Sequence, residues 1–194
     1  MELAKKECIL VEAARAFARW GFKKTSVDEI AKAAGVAKGT IYLAAESKED
    51  LFYQALHREV RAWVGEVSQF LDHREPADEL LGKMALFGFQ KLETSPLVHD
   101  LLTGRTRELL PMWGDRFDEL RYLGLQNVIE VLKLGIKQGR FRSGIDVERV
   151  ARTLQDMQVA GYLFHGVRGV AEELMAQFAA GLDLVLNGLL TRSA

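Results

Sequence analysis

The chain has 194 residues, 48% hydrophobic and 27% charged, which supplies enough apolar surface for one or two domains with real cores and rules out a disordered or low-complexity chain. Its 26 Lys and Arg stand against 27 Asp and Glu, a formal charge of -1, so a strongly cationic nucleic-acid coat is excluded while a local basic surface is not. No apolar run approaches the roughly 20 residues of a membrane span, and MELAKKECIL lacks a signal-peptide core, so a cytoplasmic protein is expected. Cys8, the single cysteine, can close no internal disulfide and reads as a buried or half-buried structural thiol.

Pro76, Pro96 and Pro111 fall within one stretch, leaving long proline-free segments rich in Ala, Leu, Glu, Lys, Arg and Gln, and hairpin signals are absent; an all-α chain is expected. Leu10, Ala14, Phe17 and Gly21 recur at helical spacing, with Gly21 breaking the helix and Phe22 turning into the core. Ser26 and Glu29 form an S-x-x-E capping box for a helix over about 27–34, and Gly35 stops it. A second short helix begins near Ala37 or Lys38 and carries Ile41 inward. Two short helices around a glycine turn are a helix-turn-helix signature. Ser47 then caps a long helix running toward Leu71.

Beyond Pro76 the pattern predicts helices over 77–94, near 97–103, 112–138, 146–166 and 170–191, with Asp146 as a cap. Val147, Val150, Ala151, Leu154, Met157, Gly161 and Phe164 repeat along one of the last two, and Leu174, Phe178, Gly181, Leu182, Val185 and Leu189 along the other. Leu184, Leu186 and Leu190 widen the second apolar face, which predicts packing on two sides, one of them against a second copy of the chain. Leu154, Met157, Gly161, Phe178, Leu182, Val185 and Leu189 are the expected dimer residues.

The run VEAARAFARWGFKKTSVDEIAKAAGVAKGTIY followed by SKEDLF resembles, without gaps over about residues 8–53, the DNA-binding domain of the TetR/AcrR family of bacterial transcriptional regulators. The resemblance implies a three-helix helix-turn-helix domain over 1–47 and a helical ligand-binding and dimerisation bundle over 48–194. It implies a homodimeric, ligand-responsive regulator, most simply a repressor released from its operator by a small apolar or amphipathic inducer. By the same resemblance Thr25 and Ser26 approach the DNA backbone from the start of the first motif helix, and Lys48 from the start of the long one. Independently of the family, a helix entering the major groove needs small residues and charge at its start. Lys38, Gly39 and Thr40 after Ala37 meet that need, and Tyr42 lies one turn after Lys38.

Charge gives soft support, with residues 1–50 at +1 and 51–194 at -2. One departure stands out: Ala44 and Ala45 occupy positions where the family usually has an aromatic pair, and Phe17, Phe22 or Phe52 would have to supply the missing bulk. That pair is the best argument for the alternative reading, a helical ligand-binding or protein-interaction dimer with weak or lost DNA binding. Phe87, Leu101, Arg105, Trp113, Phe117 and Tyr162 are the expected lining of an apolar ligand cavity. An enzyme is not expected, because HExxH, GxGxxG, Walker and G-x-S-x-G patterns are missing, and neither metal nor cofactor is called for.

Overall fold

A computed structural model of the chain describes residues 2–102, 106, 109–165, 176–181 and 183–185. Its helices are α1 (Leu3–Lys24), α2 (Val27–Ala33), α3 (Lys38–Ala44), α4 (Lys48–Phe70), α5 (Ala77–Thr94), α6 (Pro96–Leu102), α7 (Leu110–Trp113), α8 (Asp115–Lys137) and α9 (Val147–His165). Residues 176–181 and 183–185 are helical as well, and no strand occurs among the described residues. The all-α expectation holds. The segment expected as one helix over 112–138 is divided at Gly114, whose φ of 49° and ψ of -128° lie outside the helical region.

The chain forms two compact units, one of residues up to Ala62 with Ser95–Leu120, the other of Trp63–Thr94 with Arg121 onward. The helix-turn-helix segment expected over 1–47 lies within the first unit, which also takes in α6 and α7. The physical reason is the origin of that unit's core: Leu97, Val98, Leu101, Leu109 and Trp113 from α6 and α7 are buried together with Ile9, Ala13 and Phe17 of α1 and Leu51, Phe52 and Leu56 of α4. Phe17, Phe22 and Phe52 meet pairwise with ring centroids 5.0 to 5.9 Å apart, and Trp113 stacks on Phe52 at 5.9 Å. Those contacts follow from the expected break in α1. Gly21 takes φ 75°, which side-chain-bearing residues rarely adopt, and the chain bends there before a last turn that ends at Lys24. Cys8 corrects an expectation. Ile9, Leu10, Ala13 and Phe17 take the inward face of α1, so Cys8 falls on its exposed flank, with Sγ 4.0 Å from the Ala34 carbonyl oxygen.

The second unit is built on Val67, Leu80, Leu81, Leu125, Leu132, Phe141 and Ala151, all buried, with Val185 packed against them. Asn127 crosses this core as a polar strut. Its amide donates to the Val64 carbonyl at 2.8 Å, and Ser68 donates to its side-chain oxygen at 3.0 Å, so a buried polar group is satisfied. The Asp146 cap also forms, accepting the Arg149 amide at 3.0 Å.

Candidate nucleic-acid interface

α2 is fixed at both ends before α3 begins. The Ser26 hydroxyl accepts the Glu29 amide at 3.2 Å and the Glu29 carboxylate accepts the Ser26 amide at 3.0 Å, the reciprocal box anticipated from S-x-x-E. These bonds, the backbone one foremost, hold the Glu29 carboxyl below the usual carboxylate range. At the other end Gly35 adopts φ 64° and the Val36 amide donates to the Ala31 carbonyl at 3.0 Å, so the chain reverses within a few residues. α3 follows at once, with Ala37 as an N-cap that offers no side-chain acceptor.

α3 is only two turns long, so its faces are easily told apart. Ile41 and Ala44 are buried; Lys38, Gly39, Tyr42, Leu43 and the following Glu46 are exposed. Positions 39, 42 and 43 are spaced as one helical stripe. Gly39 is the telling member. Its φ is not positive and a Cβ built there would meet nothing within 4 Å, so neither backbone conformation nor internal packing asks for glycine. Inside a helix glycine costs about 1 kcal/mol relative to alanine. Gly65 of α4 and Gly82 of α5 have the same open space, so what sets Gly39 apart is its place on the exposed side of the second motif helix, where a small residue leaves room for close approach.

Charge around the stripe is held in place. The Lys38 ammonium is 2.8 Å from Asp28 of α2, and that hydrogen bond and attraction raise it above the usual lysine range. The Lys48 ammonium lies 4.5 Å from the centre of the Phe22 ring and 3.4 Å from the Lys23 carbonyl oxygen. Lys38 thus stands at the start of α3, and Lys48 is held against the end of α1.

The far end of α3 is tied to a single carboxylate. Asp50 accepts the Glu46 amide at 3.0 Å and the Gln54 side-chain amide at 2.8 Å on one oxygen, and the Arg116 guanidinium at 2.7 Å on the other. Gln54 also donates to the Ala44 carbonyl at 3.0 Å, closing the last turn of α3. Arg116 lies flat against Tyr53, 3.9 Å from the ring centre, and Tyr53 returns a bond from its hydroxyl to the Arg116 carbonyl at 3.1 Å. Burial pushes the Asp50 carboxyl up, but the bonds from Arg116, the Glu46 amide and Gln54 outweigh it, and the net displacement is downward.

The residues nominated from the sequence are placed unequally. Ser26, Ala37, Lys38, Gly39, Thr40, Tyr42 and Lys48 all reach the surface, Thr40, Ser26 and Lys48 in part. Thr25 does not: it is 2% exposed, and its hydroxyl sits 2.9 Å from the Gly21 carbonyl and 3.2 Å from that of Ala16, where it serves the end of α1. Ala44 and Ala45 are 8% and 3% exposed, inside a unit whose aromatic bulk is the Phe17, Phe22 and Phe52 group. Leu43, Asp50, Gln54 and Arg116 were not singled out from the sequence. The spacing of Gly39, Tyr42 and Leu43 carried the signal for the first; nothing local announces that residue 116 closes on residue 50.

Of the expected ligand-cavity residues, Leu101 and Trp113 are buried and Phe117 half-buried in the first unit, while Tyr162 is buried and Phe87 half-buried in the second; Arg105 lies outside the described residues. An open cleft of about 480 Å³ in the first unit is lined instead by Lys6, Tyr53, His57, Arg58, Arg61 and Arg116 among others. Of the expected dimer residues, Leu154 is buried in its own unit, Phe178 packs edge-on against Phe89 at 4.8 Å, Val185 lies on the same core, and Met157 and Gly161 are half-buried. Leu182 and Leu189 lie outside the described residues. Leu163 and Leu184 are the exposed leucines of these helices among the described residues.

Two short helices held across a glycine turn, the second with a stripe bared to solvent and a lysine at its start, define a helix-turn-helix DNA-binding protein. Residues 9–55 match the profile of the bacterial regulatory proteins of the tetR family. The transcriptional repressor KstR2 of Mycolicibacterium smegmatis is 27% identical over 190 residues, covering 96% of this chain and 91% of that protein. The structure of Thermus thermophilus FadR, a TetR-family repressor in complex with lauroyl-CoA, is similar with a TM-score of 0.74 and 25% identity over 97% of each chain. That of Bacillus subtilis FadR in complex with stearoyl-CoA is similar in fold, with a TM-score of 0.72 and 23% identity over 94% of this chain and 98% of that one. Residues 9–55 thus carry the helix-turn-helix of the tetR-family regulatory proteins, and over nearly its whole length the chain is similar to TetR-family transcriptional regulators. Among the described residues no helix is long and apolar enough to cross a membrane.

Two outcomes follow. Gly39→Ala should leave the fold as stable or up to about 1 kcal/mol more stable in thermal unfolding, while weakening operator binding about tenfold or more; unaltered binding would show that nothing approaches Gly39. Arg116→Ala should lower stability by about 1 kcal/mol at neutral pH, as expected of a half-exposed ion pair. Because the folded-state pKa of Asp50 is depressed, that difference should be complete above the ordinary aspartate value and vanish as pH falls through the lower folded value. Urea titrations across pH check this; a difference that survives acid would place the effect in the stacking on Tyr53.

Proposed function

We propose that the chain is a homodimeric repressor that sets α3 of each subunit into successive major grooves of a pseudo-palindromic operator and is released by a small apolar or amphipathic ligand. The observation that carries the DNA half of this reading is Gly39, a helix glycine with open space above it at the start of an exposed stripe. In this reading Ser26 and Lys48 approach phosphates, Lys38 exchanges Asp28 for a phosphate, Thr40 and Tyr42 reach backbone or base edges, and Ala37 lets the groove wall come near. Thr25 acts through the end of α1. The name of the KstR2 relative supports repression.

For the ligand, the acyl-CoA complexes of the two FadR structures make a long-chain acyl-CoA the first class to test. Among the described residues the Trp113 indole N–H and the Thr106 hydroxyl are buried without a hydrogen-bond partner, a cost that a polar ligand atom would relieve. Leu101 and Phe117 belong to the same unit, and Arg105 is the candidate cation for the ligand's charge; Phe87 and Tyr162 belong to the other unit and are apolar candidates there by themselves. Dimerisation is assigned to α9 and the helical residues 176–181 and 183–185, with exposed Leu163 and Leu184 extending the surface expected from Met157 and Gly161. Such a regulator works in the cytoplasm, where its operator is. α4 is the mechanical link, since it starts at Lys48 beside α3 and runs 23 residues to Phe70. Ligand and operator then weaken each other by one coupling energy, typically about 1–3 kcal/mol.

The test is mobility shift with duplex DNA from upstream of the chain's own gene, titrated with salt, unlabelled competitor and lauroyl-CoA. Competitor-resistant binding as a dimer is expected, with log K falling by about 0.9 per log salt for each neutralised phosphate. Thr40→Ala and Tyr42→Ala should weaken it without unfolding the chain, and lauroyl-CoA should release the DNA. Sequence-indifferent binding would remove the operator reading, and release by no acyl-CoA would remove that ligand class.

A further inference from the structure

We infer that Leu43 is a specificity-determining residue that reads the 5-methyl group of a thymine in the operator; the inference rests on the operator reading above and adds the base feature recognised. Leu43 is 77% exposed on a two-turn helix whose apolar needs are met by Ile41 and Ala44 on the opposite side. Left in water, a leucine side chain forgoes the burial that would make it useful to the fold. It lies on the stripe of Gly39 and Tyr42, where Tyr42 is 49% exposed and the space above Gly39 is open. The apolar surface is therefore continuous with the face that the helix-turn-helix turns to DNA, and DNA is the occupant it fits.

The chemistry narrows the occupant further. A leucine side chain has no donor or acceptor, so it cannot distinguish N7, O6, N4 or N6 on the floor of the groove. The one apolar group a base pair exposes there is the thymine methyl. Phosphates are excluded as the target because Leu43 carries no charge, and the cations nearest it in sequence are Lys38, paired with Asp28, and Lys48, held at Phe22. Leu43 should therefore change which sequence is preferred without changing how steeply binding depends on salt.

Random duplexes are selected on the wild type, and each thymine of the enriched site is replaced singly by deoxyuridine, which deletes only the methyl. At one thymine per half-site the wild type should lose about fourfold in affinity, the value for one methyl returned to water. Leu43→Ala, whose melting temperature should match the wild type because the side chain is exposed, should bind the thymine and deoxyuridine duplexes equally, with an unchanged salt slope. An equal loss in both proteins at every thymine, or no loss in the wild type at any, overturns the assignment to Leu43 while leaving operator binding intact. A wild type that enriches no sequence overturns the operator reading itself and this inference with it.

Discussion

The Asp50 carboxylate is the point on which the exposed face of α3 depends. One oxygen holds the Glu46 amide just past the end of α3 and the Gln54 side chain that closes its last turn; the other holds Arg116 from the start of α8. A seven-residue helix has too few internal hydrogen bonds to stand alone, because nucleation consumes most of what it gains. It persists because its ends are gripped: Ala37 follows a glycine turn anchored by Val36, and the other end is bonded to a group that is ionised throughout the neutral range. Since Arg116 comes from a helix 66 residues away in sequence, the orientation of α3 is not a private matter of the first fifty residues.

That grip lets the outer side of α3 be chosen for something other than folding. A fold optimised for itself would fill Gly39 with alanine, and it draws no burial from Leu43. Instead the stripe is small at its start and apolar beyond it, with Lys38 beside it, which is the composition a groove lined by phosphates and floored by base edges selects. The buried side makes the opposite choice, with Ile41, Ala44 and Ala45 packed away in the unit that also holds the phenylalanine group. The absence of an aromatic pair at 44 and 45 thus leaves no exposed defect on α3, and the reading in which DNA binding is lost receives no support from the packing.

Much of this was legible in the sequence. The capping box of Ser26 and Glu29, the turns at Gly21 and Gly35 and the Ser47 cap are local signals, decided by residues within four positions of one another, and each forms as expected. Among the described residues the long helices followed from periodicity, except that Gly114 divides the one expected over 112–138, while most of the one expected over 170–191 lies outside them; a lone glycine in a periodic run does not announce whether it will take a helical φ. What could not be read were the long-range choices. Thr25 and Cys8 exchange the roles their local context suggested, the threonine turning inward to the end of α1 and the cysteine outward, because the packing of α1 on α2 decides which flank is covered. The Asp50 and Arg116 pair, and the membership of α6 and α7 in the first unit, likewise depend on contacts between distant segments, for which a single sequence carries no period.

The most direct test is amide chemical-shift mapping of the whole protein on titration with a specific duplex. The account predicts that the largest changes fall on Ser26, on residues 38–43 and on Glu46 to Lys48, with a smaller change carried to Arg116 through Asp50. Changes centred on the basic cleft around Arg58 and Arg61, with α3 silent, would contradict it.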